Sequence, residues 1–355
     1  MSKRLKTAAH TRRNGIEPMP ELADISARTP LVRVDAQGAF AGWHWLATGF
    51  DEVRAILSDD HRFSMIPPPT QMHGAAGRVE IGNLLRYDPP EHTRLRKMLV
   101  PEFTVRRIRR LEPFVTEIVD DCLDALELAG PPADLMPTFA LPIPGLVGCA
   151  LLGVPRDDAA DLARHFVSTS AAATDHRTDP RERERMRAAI SLVTRTQAPR
   201  RTDHRSSPHR TSDWHLPRTC WPWRPAPTTV EELLRYVSSV PNSIPRYALK
   251  DVRVGDQVIR TGEVVMCSLL AVNRAQLPGV PHDTLDITRD SSGHMAFGHG
   301  IHHCLGASLS RLELRIALPA LLRRFPGLRL TVPAEQLRYR TWTPNYGVDV
   351  LPVVW

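Results

Sequence analysis

The residues with the most chemistry in this chain lie close together, in the run Phe297-Gly-His-Gly-Ile-His-His-Cys304-Leu-Gly306. Cys304 stands one residue ahead of a predicted amphipathic helix. A thiol there faces unpaired backbone N–H groups and the positive end of the helix dipole, and both favour the thiolate. The thiolate is the form that binds a soft metal. Gly298, Gly300 and Gly306 permit turn conformations closed to other residues and let a bulky flat ligand approach the backbone. Phe297 can shield the sulfur from water, and N–H groups aimed at the sulfur tune its donor strength. Two other readings compete. His299, His302, His303 and Cys304 have zinc-binding types, but so tight a spacing cannot readily surround one ion tetrahedrally and leaves the glycines without a reason. A buried structural cysteine at a helix start is the blandest alternative, and it too ignores the glycine frame.

Other segments carry charge at helical spacing. His92 and Arg96 are four apart, so both can point at one anionic group. Glu232 and Arg235 are three apart and can pair on one helix face, although such pairs are usually solvated. Arg106, Arg107, Arg109 and Arg110, with Arg94 and Lys97, form a basic patch whose plain reading is a solvated helix face.

These residues need elements to hold them. Residues 30–57 read as strand, strand, helix, with Val53, Ile56 and Leu57 at helical spacing. Residues 58–87 are loop-like, and 91–128 and 144–195 look helical, with Asp157 and Asp158 near one helix start. From Thr196 to Pro227 there is no periodicity and there are six prolines, so this is an irregular basic segment, not a helix. Thr228-Thr229 is a predicted N-cap before a helix whose first turn carries Glu231 and Glu232. Residues 246–270 alternate like strands, with turns at Gly255 and Gly262. Residues 305–325 give the clearest amphipathic helix, through Leu305, Leu309, Leu312 and Ile316, and Pro319 is expected to kink or end it. Residues 328–355 return to short strand-like runs.

At 355 residues the chain can bury a sizeable core. The net charge of +7 suggests nucleic acid only until it is located: residues 195–227 hold seven arginines and two aspartates, and the rest is near neutral. No apolar run is long enough to span a membrane. The start, MSKRLKTAAHTRRNG, has no apolar stretch of the kind a secretory signal needs. Five cysteines without Cys-x-x-Cys spacing point to a reducing compartment.

The cysteine loop resembles the haem-binding signature of the cytochrome P-450 family, Phe-Gly-x-Gly-x-His-x-Cys-x-Gly. Phe297, Gly298, Gly300, His302, Cys304 and Gly306 meet its defined positions. Glu232-Leu-Leu-Arg235 is similar to the family's Glu-x-x-Arg pair, the run holding Asn273-Arg274 to the approach to its meander, and Asp88-Pro-Pro-Glu-His92-Thr-Arg-Leu-Arg96 to the start of its C helix. The likeness runs through roughly residues 17–190 and 228–355. It implies a mainly α fold with a smaller β region (α+β), as one haem domain over residues 1–355. It implies haem b (iron protoporphyrin IX) ligated by Cys304, with His92, Arg96, Arg246 and His302 on the propionates. The implied activity is insertion of one oxygen atom from O2 into an apolar small molecule, in secondary metabolism or xenobiotic breakdown. Electrons would come ultimately from NAD(P)H through a ferredoxin reductase and an acidic ferredoxin docked near the basic run. Substrate would lie under a loop carrying Met65, Ile66, Met72, Ile81, Leu84 and Leu85. The implied protein is of the soluble bacterial, actinobacterial type and cytoplasmic, with no membrane or nucleic-acid partner.

One family feature is missing. The central helix with its acid–alcohol pair has no counterpart: Ala171–Asp175 (AAATD) comes too early, and Thr228-Thr229 lacks the acid and the glycine. The central helix region is therefore atypical, and the alternative expectation is a catalytically impaired haem-binding remnant of such an enzyme.

Overall fold

A computed structural model describes residues 5–6, 13–36, 42–69, 84–151, 153–154, 227–275, 283–340 and 345–355. The helix expected around Asp157 and Asp158, the AAATD run, the irregular segment 196–226, and Met72 and Ile81 lie outside the described residues.

The chain begins with short strands β1 (Leu5–Lys6), β2 (Arg13–Asn14) and β3 (Glu17–Pro18), then helix α1 (Pro20–Arg28). The expected strand–strand–helix unit follows as β4 (Leu31–Ala36), β5 (Gly42–Ala47) and α2 (Phe50–Ser58). β4 and β5 pair antiparallel, from Leu31 opposite Ala47 to Ala36 opposite Gly42. They join β6 (Phe63–Ser64), β8 (Arg246–Ala248) and β11 (Val264–Cys267) in a six-stranded sheet of order β1-β4-β5-β11-β8-β6. Strand alternation divides its side chains. Leu31, Trp45, Ala47, Val265 and Cys267 pack with Val53, Ile56 and Leu57 of α2. Val32, Val34, Leu46 and Met266 pack with Leu22 and Ile25 of α1. Both sheet faces are therefore covered.

Residues 91–128 are helical but broken into α3 (Glu91–Leu99), α4 (Val105–Arg109) and α5 (Glu112–Ala129). Pro101 falls in the turn after α3, and the Thr104 side chain caps α4 by accepting the Arg107 N–H at 3.3 Å. In α5, Val115, Ile118, Val119, Cys122, Leu123 and Leu126 repeat at helical spacing and form one buried stripe. That stripe meets Phe139 and, beyond β7 (Ala133–Asp134), Ile143 and Val147 of α6 (Pro142–Leu151).

Beyond α7 (Pro227–Val237) come the hairpin β9 (Val252–Val254) and β10 (Gln257–Ile259), then α8 (Leu269–Arg274). The strand reading of 246–270 overran by two residues, because Ser268 caps α8 by accepting the Ala271 N–H. Thr228 and Thr229 are not caps. Both lie inside α7, where Thr229 is buried and the Thr228 hydroxyl donates to the Ile287 carbonyl at 3.2 Å.

The long final helix α9 (Ala307–Arg324) lies against α5, with Leu309, Ala317 and Leu321 in the same core. Pro319 does not end it; the helix continues to Arg324. Proline removes one backbone donor there, and burial of the surrounding face against α5 outweighs that loss. The C-terminal strand β13 (Pro352–Val354) closes a small sheet between β12 (Arg329–Leu330) and β7.

Candidate functional site

Between Met295 and Gly306 the chain makes consecutive tight turns. The Gly298 N–H donates to the Met295 carbonyl and the His303 N–H to the Gly300 carbonyl, while the Cys304 N–H returns to the Phe297 carbonyl at 2.9 Å. Gly298 and Gly300 have φ of +73° and +72°, a region that disfavours other residues. Gly300 is constrained twice: a Cβ there would stand 2.1 Å from the Leu57 carbonyl oxygen at the end of α2. At Gly298 the same atom would meet nothing within 4 Å. Gly306 differs from the expectation. Its φ is −79°, so its backbone does not require glycine. Cys304 also lies further from the helix than expected, because Gly306 caps α9 and Ala307 is its first residue. The Cys304 carbonyl accepts the Ala307 N–H at 3.3 Å, and the residue is exposed and in no disulfide.

Beside this loop sits a cluster of imidazoles and guanidinium groups. His92, on α3, is buried, and its ring centroid lies 4.1 Å from that of His302. Among the described residues, neither His92 ring nitrogen has a hydrogen-bond partner, nor does Nδ1 of His302. Burial, then the charge of Arg96, lowers the His92 pKa. Burial and the charges of Arg246, His92 and Arg96 pull His302 down to about 3. Arg246 is buried on β8, with one N–H on the Ile244 carbonyl at 3.0 Å. Arg96 reaches from α3 to the His303 carbonyl at 2.6 Å, one residue from Cys304. The Asp88 carboxylate fixes the start of α3 by accepting the Met65 N–H and the Ser64 hydroxyl. Unpartnered buried imidazole nitrogens beside two cations suit an anion that accepts hydrogen bonds.

The Glu232–Arg235 pair is buried, not solvated. Arg235 donates to both Glu232 oxygens at 2.6 and 2.7 Å and to the carbonyls of Asn273 and Thr284. Glu232 also accepts the Asp286 N–H at 2.9 Å and the Ser291 hydroxyl. Burial pushes this carboxyl up, but the hydrogen bonds from Arg235, Ser291 and Asp286 outweigh it and hold the pKa at about 2. The pair thereby ties α7 to α8 and to the segment that leads into the cysteine loop.

Comparison with known proteins agrees with this arrangement. The family model "Cytochrome P450" matches residues 226–336, starting where the regular pattern resumes. Cytochrome P450 165B3 of Amycolatopsis orientalis is 36% identical over 391 aligned positions, covering 98% of each chain. The chain belongs to the cytochrome P450 family. Nocardicin C N-oxygenase of Nocardia uniformis subsp. tsuyamanensis is 36% identical over 95% of each chain. The solved structure of OxyE, a cytochrome P450 involved in teicoplanin biosynthesis, superposes with a TM-score of 0.80 at 35% identity, covering 98% of this chain and 99% of that one. The fold is thus the mainly α P450 fold with its smaller sheet region, and the protein is a haem-dependent P450 monooxygenase. The alignment with P450 165B3 is longer than the 355 residues of this chain, so the relative has residues that face gaps here.

The P450 residues present fit haem. An exposed thiol can ligate iron, the orphaned imidazoles and the arginines can hold carboxylates, and the space at Gly298 leaves the backbone open to a flat ring. Among the described residues, no three His, Cys, Asp or Glu side chains are grouped to hold a bare metal ion. No helix among them is long and apolar enough to cross a membrane. In the basic run, Ile108 is buried in the helical core while Arg106, Arg107, Arg109 and Arg110 are exposed, as are Arg94 and Lys97. Of the proposed substrate-wall residues, Met65 is buried, Ile66 and Leu84 are half-buried and Leu85 is exposed.

Sequence reasoning missed one group. Glu231 was read as a first-turn acid, yet its carboxylate accepts Arg311 Nε at 2.9 Å and Arg315 at 3.3 Å from α9, and contacts His294 Nε2 at 3.2 Å. The only signal for it was its place beside Glu232, because its partners are 63 to 84 residues away.

Proposed function

We propose that the chain, working as one haem domain over residues 1–355, inserts one atom of O2 into an apolar small molecule of secondary metabolism, with Cys304 as the iron ligand. The observation that carries this reading is the cysteine loop beside the cluster of His92, Arg96, Arg246 and His302, with buried imidazole nitrogens left unpartnered. Bound haem b supplies dioxygen activation and the oxidising capacity. The chain supplies position and environment. Cys304 presents its sulfur as the iron donor, its backbone held by the N–H on the Phe297 carbonyl. His92 and His302 donate ring N–H groups to the propionates, and Arg96 and Arg246 neutralise their charge. Met65, Ile66, Leu84 and Leu85 contribute apolar surface that keeps water from substrate. The exposed arginines of α4 receive an acidic ferredoxin, which a reductase charges from NAD(P)H, and the setting is the bacterial cytoplasm.

The missing acid–alcohol pair favours a second reading, a haem-binding remnant with impaired catalysis. Turnover under isotopically heavy dioxygen separates the two. Haem-loaded protein is supplied with ferredoxin, reductase, NADPH and a panel of apolar small molecules. A product carrying one heavy oxygen atom supports the monooxygenase. Reduced haem that consumes no substrate across the panel supports the remnant.

A further inference from the structure

The cysteine loop is held by two adjacent acids of α7, and only one belongs to the pair already described. Glu232 holds Arg235 and the segment around Ser291. Glu231 points to the other side. The Ala296 N–H donates to His294 Nδ1 at 3.0 Å, which fixes the ring proton on Nε2, and Nε2 faces a Glu231 oxygen at 3.2 Å. The His294 side chain is fully buried, so the contact is shielded from water. The same carboxylate receives Arg311 from α9. The guanidinium of Arg311 in turn lies over the Phe297 ring, 4.7 Å from its centroid. Phe297 carries the carbonyl that accepts the Cys304 N–H.

We propose that Glu231 is a positioning residue for the iron-ligand loop, holding His294 before the turn and Arg311 on Phe297, so that the Phe297–Cys304 turn keeps one conformation. The inference rests on the reading of Cys304 as the haem ligand. An arginine stem on a helix surface samples many rotamers, and its stacking on an aromatic ring fixes that ring only if the guanidinium is itself fixed. Glu231 does this by taking its Nε–H, which leaves the guanidinium plane over Phe297. Without the acid, Arg311 is free to turn toward solvent, Phe297 loses its cover, and the Cys304 amide loses a fixed acceptor.

The test is the carbon monoxide spectrum of the reduced, haem-loaded full chain, followed in time. Glu231→Gln keeps a hydrogen-bonding side chain of the same length but removes the charge. It should lose the red-shifted band about tenfold faster than the wild type, the size that one charge-assisted hydrogen bond commands. Arg311→Lys keeps the ion pair and loses the flat stacking group, so it should accelerate the loss too; this variant serves if Glu231→Gln fails to fold. Arg324→Gln breaks exposed contacts with Asp124 and Glu127 at the far end of α9 and should decay at the wild-type rate. A wild-type band with unchanged decay in a folded Glu231→Gln or Arg311→Lys protein overturns the proposal alone. Acceleration in Arg324→Gln as well overturns it in favour of general loosening of α9. A wild type without the red-shifted band overturns the thiolate reading, and this proposal with it.

Discussion

At Gly300 backbone conformation and packing make the same demand. Its φ of +72° is strained for any side chain, and a methyl group would press on the Leu57 carbonyl. Gly300→Ala should therefore destabilise the protein by about 2–4 kcal/mol and lower haem uptake, as strain and overpacking add. In the haem-free protein Gly298→Ala meets the same φ penalty in open space and should cost only about 1–2 kcal/mol. Denaturant unfolding of both variants checks this, and equal losses would remove the packing argument. Glu313 on α9 gives a second test at this scale. Burial raises its carboxyl pKa to about 7, with no hydrogen-bond partner among the described residues. The folded state then binds the proton more tightly than the unfolded chain. Stability should fall as pH rises from about 4.5 to about 7 and level off above. Glu313→Gln should abolish that fall and gain at most about 3 kcal/mol at pH 8. Unfolding midpoints at pH 5 and 8 decide the matter; a slope retained in the variant contradicts it.

Among the elements, α7 is the organising one, because its two adjacent acids face different partners. Removing Arg235 would leave the buried Glu232 carboxylate with the weaker Arg289 contact at 3.5 Å, the Ser291 hydroxyl and the Asp286 N–H, so Arg235→Ala should cost about 3 kcal/mol, still well above an exposed pair such as Arg260–Asp251. The Glu232 pKa of about 2 sets the sign of the acid response. Its stabilisation is complete above about 4.5 and is lost as pH falls toward 2, so Glu232→Gln should be less stable at neutral pH but less sensitive to acid across that window. Acid titrations followed by circular dichroism test both statements. The sequence made some of this legible and not the rest. Gly298 and Gly300 were readable because each answers a local backbone demand, a positive φ, at fixed spacing. The sheet unit at β4, β5 and α2 was readable from its periodicity. Glu231 and Thr228 were misread, and Pro319 does not end its helix, because their roles depend on partners brought together by folding: Arg311 and His294 for the acid, the Ile287 carbonyl for the threonine, α5 for the proline-bearing helix. Gly306 shows the reverse, a family position whose backbone makes no demand for glycine.

Across the whole molecule, the site stands where the sheet-and-helix half meets the helical half. Gly300 touches α2 of the first, and Cys304 leads into α9 of the second. The N-terminal strands tie into the same frame: Glu17 takes Arg274 at 2.6 Å and the Tyr236 hydroxyl at 2.7 Å. Loosening either half should therefore reach the loop, and haem loss should accompany global unfolding. The cationic cluster adds a charge test. Arg96→Gln and Arg246→Gln should each weaken haem retention by about tenfold, the loss expected for one charge-assisted contact, as followed by transfer to apomyoglobin. The central claim is that Cys304 sulfur binds haem iron. The measurement that reaches it most directly is the absorption spectrum of the reduced protein under carbon monoxide, taken for the wild type and for Cys304→Ser. With sulfur on the iron, the wild type should show a strongly red-shifted Soret band that disappears in the variant. A band that survives unchanged in Cys304→Ser, or a wild type that stays colourless after haemin supplementation, would contradict it.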